Sequence, residues 1–406
     1  MKERFRVQLS TALAFGPTGI IWAFLPIHLR SLGASYFLIS LISLIPAIET
    51  VAFSPLWGGI LDRTGKGHNI LFLSFLAQVV GFSMFPILNN PVGFVIDVSL
   101  ISLFSSSFIP VYAAMATVDS PQYGRAIGRF WVSASLGYAS ITLLGGILYQ
   151  YFPVDFLFIL GTAYAVAGCL IIFFAPRSEL TLRRSAEHPR GYWGLLRQRK
   201  IAMLCLLSVG VLVSASAFNN FFTVYLVNVL NGTRLTAGLA ATATTVLGAL
   251  AYRYLGPLND KIGRKPVFIF GAAGYAAYYT VLYFVTNIFV VTVLWVLPIY
   301  PLAQSASATL MSDYTSVADR GKGLGLLESA LSLGGGLGPL AGGLIADAAQ
   351  LQTVILFSLS IALATLFSSQ LLIRENPEAT VVEAIPTGSQ LDRLAYPPYR
   401  SASCDP

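Results

Sequence analysis

The stretch "GGILDRTGKGH", from Gly58 to His68, returns in a near copy as "GPLNDKIGRK", from Gly256 to Lys265. Each copy is a short, charged, glycine-containing segment that separates two long apolar runs. The two opening glycines lie 198 residues apart in a chain of 406 residues. A segment that recurs at about half the chain length predicts two halves of similar structure.

The composition indicates a membrane protein, because 55% of the residues are hydrophobic and 11% are charged, whereas soluble domains carry roughly 25% charged residues. Apolar runs of about 18 residues or more, each long enough to cross a bilayer as a helix, recur along the chain. We therefore predict an all-α membrane protein with twelve transmembrane helices. Their predicted limits are 7–30, 35–60, 69–88, 92–117, 125–149, 153–175, 200–229, 233–256, 265–286, 288–312, 322–346 and 352–373.

The longest polar break divides these helices into two groups of six. The predicted units are an N-terminal bundle (1–176), a cytoplasmic central loop (177–199), a C-terminal bundle (200–374) and a disordered tail (375–406). A second repeat supports the division, since the segment that begins at Tyr123 resembles the one that begins at Arg320. The fifth predicted helix thus recurs as the eleventh, and such parallel repeats are typical of secondary transporters.

The lysines and arginines predict the orientation, because positively charged loops stay in the cytoplasm. With the N-terminus inside, 23 of the 25 Lys and Arg residues lie on the cytoplasmic side, and only Arg30 and Arg234 lie outside. We therefore predict a multi-pass protein of the plasma membrane with both termini in the cytoplasm. The same asymmetry accounts for the net charge of +7, so no nucleic-acid partner is predicted.

The duplicated loop resembles the cytoplasmic signature of the major facilitator superfamily, Gly-x-x-x-Asp-(Arg/Lys)-x-Gly-(Arg/Lys)-(Arg/Lys), and the resemblance covers roughly residues 5–375. The first copy has Gly67 at the last basic position, and the second copy is complete. The resemblance implies two six-helix bundles that carry a small-molecule solute by alternating access, as a monomer without a cofactor and with protons as the candidate coupling ion. The matching residues are Gly58, Asp62, Arg63, Gly65, Lys66, Gly256, Asp260, Lys261, Gly263, Arg264 and Lys265.

The residue types in this loop predict a gate. Gly65 permits a left-handed turn, and Gly58 allows a close approach between helices. Asp62 is suited to bind the positive N-terminal end of the eleventh helix, which is rich in small residues. By symmetry, Asp260 would face the start of the fifth helix. The glycines expected at these two helix starts are Gly321, Gly323, Gly325, Gly124 and Gly128. The alternative is a tight turn with solvated charges.

Two carboxylates, Glu49 and Glu328, are expected at membrane depth, where a charge costs about 2.5–3.5 kcal/mol. They are therefore expected to face the protein interior or water. The second and eleventh helices are neighbours in this fold, so the two carboxylates could share one cavity wall. Each is interpreted either as a proton carrier or as a protonated packing residue. Asp97 is instead expected at the membrane interface.

The resemblance implies a central cavity lined by the first, fourth, seventh and tenth helices. Amides at membrane depth need partners, and aromatic side chains there either contact solute or pack. Pro298 and Pro301 predict a bend in the tenth helix. The candidate solute contacts are Trp22, Asn219, Asn220, Tyr300 and Gln304.

Two features leave the direction of transport open. A Gly-x-x-x-Gly-Pro-x-x-Gly-Gly motif accompanies antiporters of this superfamily when it lies in the fifth helix, but here it is complete only in the eleventh, at Gly334–Gly343. In the fifth helix, Ile141 and Thr142 replace the inner Gly-Pro. The fourth helix also lacks the buried arginine that is found in many proton-coupled drug exporters of this superfamily.

The remaining patterns do not favour an enzyme. Three histidines are scattered without metal-ligand spacing, and no phosphate-binding loop is present in the sequence. The favoured function is proton-coupled efflux of amphipathic compounds. The alternatives are uptake of a small organic metabolite or sugar, by symport or uniport, and a membrane sensor that transports nothing.

Overall fold

A computed structural model of the chain describes residues 2–117, 123–175, 192–316 and 319–373. These residues form helices and connecting turns, without a strand. Within the described ranges, twelve helices are long and apolar enough to cross a membrane. This number confirms the sequence prediction, because bilayer thickness fixes the length of an apolar helix. We number the helices α1 to α12.

The N-terminal half contains α1 to α6. The bounds are Lys2–Phe15, Ile20–Phe24 and Leu25–Ser31 for α1, Tyr36–Thr64 for α2, Gly67–Met84 for α3, Pro91–Ser105 and Phe108–Thr117 for α4, Tyr123–Tyr151 for α5, and Val154–Phe173 for α6. A turn at Phe85–Ile87 follows α3.

The C-terminal half contains α7 to α12. The bounds are Arg199–Asn219, Phe222–Val224 and Tyr225–Val229 for α7, Arg234–Ile262 for α8, Arg264–Phe284 for α9, Ile288–Val296 and Tyr300–Tyr314 for α10, Arg320–Ala348 for α11, and Leu351–Leu372 for α12. A short helix, Tyr192–Leu196, lies within the predicted central loop. Residues 177–191 of that loop and the predicted tail at 375–406 lie outside the described ranges.

The interrupted helices are α1, α4, α7 and α10, the same four that the resemblance assigns to the cavity. The break in α10 falls between Val296 and Tyr300, as Pro298 and Pro301 predict, since proline lacks the N–H that a continuous helix needs. The segments Ile20–Phe24 and Tyr225–Val229 are π-helical. Segments of this kind occur frequently at functional sites.

The predicted left-handed turn is present at the end of α2. Gly65 has φ of +66°, and its N–H donates a hydrogen bond to the carbonyl of Leu61. Gly263, at the equivalent place between α8 and α9, has φ of +98°. Both conformations favour glycine, because a side chain at positive φ is strained.

The helix ends form two faces. The basic face is where α1 begins and α2 ends, and its helix ends carry most of the lysines and arginines. The opposite face is where α1 ends and α2 begins, and it includes Arg30 and Arg234. The two halves contact each other mainly through α2 with α11 and through α5 with α8. These two helix pairs therefore determine whether the halves are closed at a given face.

Candidate functional site

The α2–α11 pair is closed at the opposite face. Asp347, near the end of α11, accepts hydrogen bonds from the backbone N–H groups of Tyr36 and Phe37, each at 2.8 Å. These residues begin α2, and the hydroxyl of Ser35 accepts a third bond, from the N–H of Leu38 at 3.1 Å. The first N–H groups of a helix have no partner within it and carry partial positive charge. A carboxylate from one half thus caps a helix of the other half.

Backbone packing accompanies this cap. At Gly343, one turn before Asp347, an added Cβ would collide with the backbone carbonyl of Tyr36. Deeper along the same helix pair, Gly336 lies against Leu44 and Ala47 of α2. Small residues permit such close crossings of membrane helices. The glycine motif of α11 therefore acts in packing here.

The α5–α8 pair is closed at the same face by a pseudo-symmetric contact. The Oε1 atom of Gln150 accepts a hydrogen bond at 3.1 Å from the N–H of Arg234, the first residue of α8. The Arg234 guanidinium lies 4.2 Å from the ring centroid of Tyr149. Deeper, the hydroxyls of Thr142 and Thr242 are 2.9 Å apart. The second cap therefore uses a neutral amide where the first uses a carboxylate.

The basic face is different. Asp62 is exposed there, and an added Cβ at Gly321 or Gly325, in the first turns of α11, would meet open space. A Cβ at Gly58 would come no closer than 3.9 Å to the side chain of Pro110. The predicted contact of Asp62 with α11 and the close approach at Gly58 are thus not made in this conformation, because α2 and α11 are separated at this face.

Two other residues of the first signature copy, Arg63 and Lys66, are also exposed at the basic face. The side chain of Asp260 and the surroundings of Gly124 and Gly256 lie outside the described part of the chain. At Gly128, an added Cβ would meet open space. The gating roles of both copies therefore stay predictions.

The second copy of the signature makes contacts within its own half. Arg264 forms an ion pair with Asp313 at the end of α10. The Nζ atom of Lys265 donates a hydrogen bond at 3.1 Å to the carbonyl of Gln370, near the end of α12. Lys261 is exposed. The basic residues after Gly263 thus join α9 to α10 and α12.

A cavity of about 270 Å³ lies within the C-terminal half, between α7, α8, α9 and α10. Three of the predicted solute contacts, Asn219, Tyr300 and Gln304, line it. Tyr275 and Tyr278 of α9 also line it, and they are not among the solute contacts predicted from the sequence. The family pattern assigns α9 a place outside the cavity, and the only signal in the sequence was the run of tyrosines in α9.

Hydrogen bonds and ring stacking fix several groups of this cavity. The hydroxyl of Tyr252 donates to Oε1 of Gln304 at 2.7 Å, and the hydroxyl of Tyr278 donates to Oδ1 of Asn219 at 3.4 Å. The Trp295 ring, also in the lining, stacks on Phe222 with centroids 4.3 Å apart and an interplanar angle of 2°. The cavity wall thus combines aromatic and aliphatic side chains with amides in fixed orientations.

Two predicted solute contacts lie elsewhere. The Oδ1 atom of Asn220 accepts a hydrogen bond at 2.6 Å from the hydroxyl of Ser43 in α2. Asn220 therefore joins the two halves, whereas the adjacent Asn219 faces the cavity. Trp22 lies in the π-helical segment of α1, in the other half, and 37% of its surface is exposed.

The two predicted carboxylates have different surroundings. Glu49 accepts a hydrogen bond at 2.5 Å from the hydroxyl of Ser99 in α4, and its Oε2 atom is buried without a partner among the described residues. Glu328 is exposed in α11 and interacts electrostatically with Tyr252 of α8. The structure therefore gives the two carboxylates separate partners, on α4 and α8.

Asp97 of α4 is packed against α3, and its expected place at the membrane interface stays a prediction. One of its oxygens lies beside Gly81 of α3, and the other is buried without a hydrogen-bond partner among the described residues. Asp97 is the seventh residue of α4, which places it about 9 Å along the helix. The sequence could not show that its side chain lies between α3 and α4.

The family model described as "MFS_1 like family" matches residues 8–357. The uncharacterized MFS-type transporter MJ1560 of Methanocaldococcus jannaschii is 23% identical over 373 residues, which cover 88% of this chain and 94% of that protein. The multi-drug resistance efflux pump PmrA homolog of Lactococcus lactis subsp. lactis is 24% identical over 265 residues, 62% of this chain and 65% of that protein. The chain thus spans less than two thirds of this relative's length.

Solved structures share the fold. The crystal structure of the nucleoside transporter NupG superposes with a TM-score of 0.79 at 14% identity, covering 93% of this chain and 100% of that chain. A bacterial homolog of the human lysosomal transporter Spinster, in an inward-facing and occupied conformation, superposes with a TM-score of 0.76 at 14% identity. That match covers 92% of this chain and 98% of the other.

Proposed function

The chain belongs to the MFS_1 like family, and on this premise we propose that it is a secondary active transporter that exports small amphipathic organic solutes in exchange for protons. The observation that carries the proposal is the aromatic cavity of about 270 Å³ beside a closed opposite face. Small-molecule sites are concave and largely apolar, with a few placed polar groups. A solute in this cavity would have its exit barred at the opposite face and open toward the basic face.

The transport cycle follows from the two faces. In the present conformation the halves are joined by Asp347 at the opposite face, while Asp62 at the basic face is exposed. In the alternative conformation, Asp62 would bind the start of α11, and the bond to Asp347 would break. The two carboxylates would thus stabilise alternative conformations, which is the requirement for alternating access.

Glu49 is our candidate for the coupling proton. Its carboxylate lies within a membrane-spanning helix, with Ser99 as a hydrogen-bond partner and one oxygen unpartnered. Ionisable groups inside membrane helices commonly mark proton or substrate pathways. Glu49 belongs to the N-terminal half and the cavity to the C-terminal half, so proton and solute would bind at separate places.

The direction of transport rests on two considerations. A relative that covers part of the chain is named a multidrug efflux pump. The aromatic wall of the cavity also suits amphipathic compounds, whose apolar surface it would remove from water. We therefore favour export over uptake of a metabolite.

The basic face is assigned to the cytoplasm, because positively charged loops stay on that side. Both chain termini would then be cytoplasmic, with the protein in the plasma membrane and the two bundles at 1–176 and 200–374. A reporter that is active only in the cytoplasm, fused after residue 190, should be active. The same reporter fused after residue 232 should be silent, and the reverse result would exclude this orientation.

The function is tested with the purified protein in liposomes. A panel of radiolabelled solutes, covering amphipathic drugs, nucleosides and sugars, is measured with and without a pH gradient. We expect a pH gradient to drive amphipathic solutes across the membrane. Movement of a sugar or nucleoside alone would favour the uptake alternative. Absence of flux for every solute, with the protein correctly folded, would contradict transport and favour a sensor.

A further inference from the structure

The cavity in the C-terminal half has an uncharged wall. It is formed by thirteen described residues, and none of them is Asp, Glu, Lys, Arg or His. A charged ligand would therefore lose hydration on entry without gaining an opposite charge in the wall, which is unfavourable. Glu328 interacts electrostatically with Tyr252, but it is not part of the lining.

The shape of the wall favours a flat ring. Trp295 is held parallel to Phe222, and Tyr275, Tyr278 and Tyr300 also face the cavity. Aromatic pairs gain about 0.5–1.5 kcal/mol beyond their buried area when they stack or meet edge to face. A planar aromatic ligand can use several of these rings at once.

Two amides and the hydroxyls of Ser216 and Thr244 give the wall its polarity, and the hydroxyls donate to backbone carbonyls. The oxygens of Gln304 and Asn219 already accept hydrogen bonds from Tyr252 and Tyr278. Neither amide NH₂ group donates a hydrogen bond to another described residue. These NH₂ groups are hydrogen-bond donors that line the cavity, and a ligand that displaces water from them without offering an acceptor would leave them unpaired, which is costly. The cavity therefore presents donors that a ligand has to satisfy.

From these three features we infer that the cavity binds uncharged, flat aromatic compounds that carry carbonyl or ring-nitrogen hydrogen-bond acceptors. Gln304 and Asn219 determine this specificity by donating their amide N–H groups to the ligand. Tyr252 is a positioning residue, because its hydroxyl holds the oxygen of Gln304 away from the ligand. The inference rests on the proposed transport function, and it narrows the solutes to one chemical class.

Binding of two small probes tests the inference on the purified full-length protein in lipid nanodiscs. Radiolabelled caffeine is planar and uncharged, and it carries acceptors but no donor. The 1,3,7,9-tetramethylxanthinium ion has the same ring system with one added methyl group and a positive charge. Equilibrium dialysis should show caffeine binding about tenfold or more tightly than the cation, which corresponds to the loss of one well-placed interaction.

Substitutions in and away from the cavity wall test whether caffeine binds there. Gln304→Glu keeps the shape of the side chain but removes its N–H donors, and it should weaken caffeine binding about tenfold. Tyr252→Phe should weaken it less, because the amide stays and only its orientation is lost. Gln352→Glu makes the same chemical change at the exposed start of α12 and should leave binding unchanged.

Three outcomes would overturn the inference. They are the absence of caffeine binding in the folded protein, tighter binding of the cation that is lost in Glu328→Gln, and tighter binding of caffeine in Gln304→Glu. The liposome panel separates this inference from the function itself. Flux of cations or sugars without caffeine binding would contradict the inference about the ligand class but remain consistent with the proposed transport function. Caffeine binding that responds to Gln304→Glu, without flux of any solute, would support the ligand class and contradict transport.

Discussion

The carboxylate of Asp347 in the C-terminal half accepts a hydrogen bond at 2.8 Å from the N–H of Tyr36, the first residue of α2 in the N-terminal half. The two residues are 311 positions apart in the chain. The bond therefore exists only while α2 and α11 are closed at the opposite face. Breaking it exposes the first N–H groups of α2 and the carboxylate to water at the same time, so its energy bears directly on the balance between conformations.

Asp347→Asn should shift that balance toward the conformation open at the opposite face. Asparagine keeps one acceptor but loses the charge that the helix N-terminus stabilises. Because such caps contribute about 1 kcal/mol, the shift should be about fivefold. Spin labels at Gly59→Cys and Gly325→Cys, both in open space at the basic face, would report it as a larger short-distance population. The native cysteines would be replaced by serine.

Asp155→Asn is the matched control, because Asp155 is an exposed acid at the same face and lies in the first turn of α6. Among the described residues, Asp155 accepts no hydrogen bond from the other half. The control should leave the distance distribution unchanged. Equal distributions in Asp347→Asn and the unaltered protein would show that the cap has no influence on the balance.

Glu49→Gln should separate solute exchange from proton coupling. Glutamine resembles the protonated acid and can keep the hydrogen bond to Ser99, so folding and exchange should persist. Accumulation driven by a pH gradient should be lost, because glutamine cannot release a proton. The measurement compares exchange and pH-driven flux of the same labelled solute in liposomes.

Glu328→Gln is the comparison variant and should retain pH-driven flux. Normal pH-driven accumulation by purified Glu49→Gln would contradict the proposal and leave Glu328 as the next candidate. Loss of expression in Glu49→Gln would instead assign the ionised carboxylate a structural role. Ser99→Ala should keep coupling but change its pH dependence, because one of the two serine side chains that interact with the carboxylate, Ser99 and Ser102, is removed.

The number and positions of the helices could be predicted from the sequence, because the bilayer fixes helix length and the duplicated loop fixes the two halves. The turn at Gly65 was predicted for a local reason, since glycine tolerates positive φ. These features depend on residues close together in the chain or on a repeat that the sequence displays directly.

The closed contacts could not be predicted, because they depend on which face is closed. The sequence shows both Asp62 and Asp347, but each is expected to bond across the two halves in only one of the two conformations. In the sequence, Asp347 is an acidic residue near the end of a helix. Its role as a cap for α2 is visible only in the structure, where α11 packs beside Tyr36. Asn219 and Asn220 pose a different problem, since adjacent helical residues point about 100° apart. Only the packed helix shows which of them faces the cavity.

The two asparagines should therefore differ when each is replaced by alanine. Asn219→Ala should weaken solute binding about tenfold, because an N–H donor in the cavity wall is lost. Asn220→Ala should leave solute affinity unchanged in the conformation closed at the opposite face. It removes the acceptor for the hydroxyl of Ser43, and with it a hydrogen bond between the halves. Its effect should appear in the distance between the halves, as with Asp347→Asn.

Binding by equilibrium dialysis and distances between spin labels, measured on both variants, check this division. Ser43→Ala should reproduce the distance change of Asn220→Ala, since the two residues share one bond. A larger loss of binding in Asn220→Ala than in Asn219→Ala would contradict the assignment of the two residues.

Asp62 should stabilise the conformation closed at the basic face, whereas Asp347 stabilises the conformation closed at the opposite face. The start of α11 is available to it, because the N-cap residue Asp319 makes no side-chain cap bond to the helix and bonds instead with Ser316 and Lys322. Asp62→Asn should therefore destabilise the conformation closed at the basic face. The protein would remain in the conformation described here, with solute binding retained and transport reduced about fivefold, in line with about 1 kcal/mol for such a cap.

The double variant Asp62→Asn with Asp347→Asn then tests whether the two carboxylates oppose each other. If each stabilises one conformation, removing both should restore much of the balance, and the double variant should transport faster than Asp62→Asn alone. Two independent structural defects would instead add, and the double variant would be slower than either single one. The spin-label distances separate these cases, because only compensation returns the basic-face distribution toward that of the unaltered protein. Asp62→Asn combined with Asp155→Asn is the control, and it should behave as Asp62→Asn does.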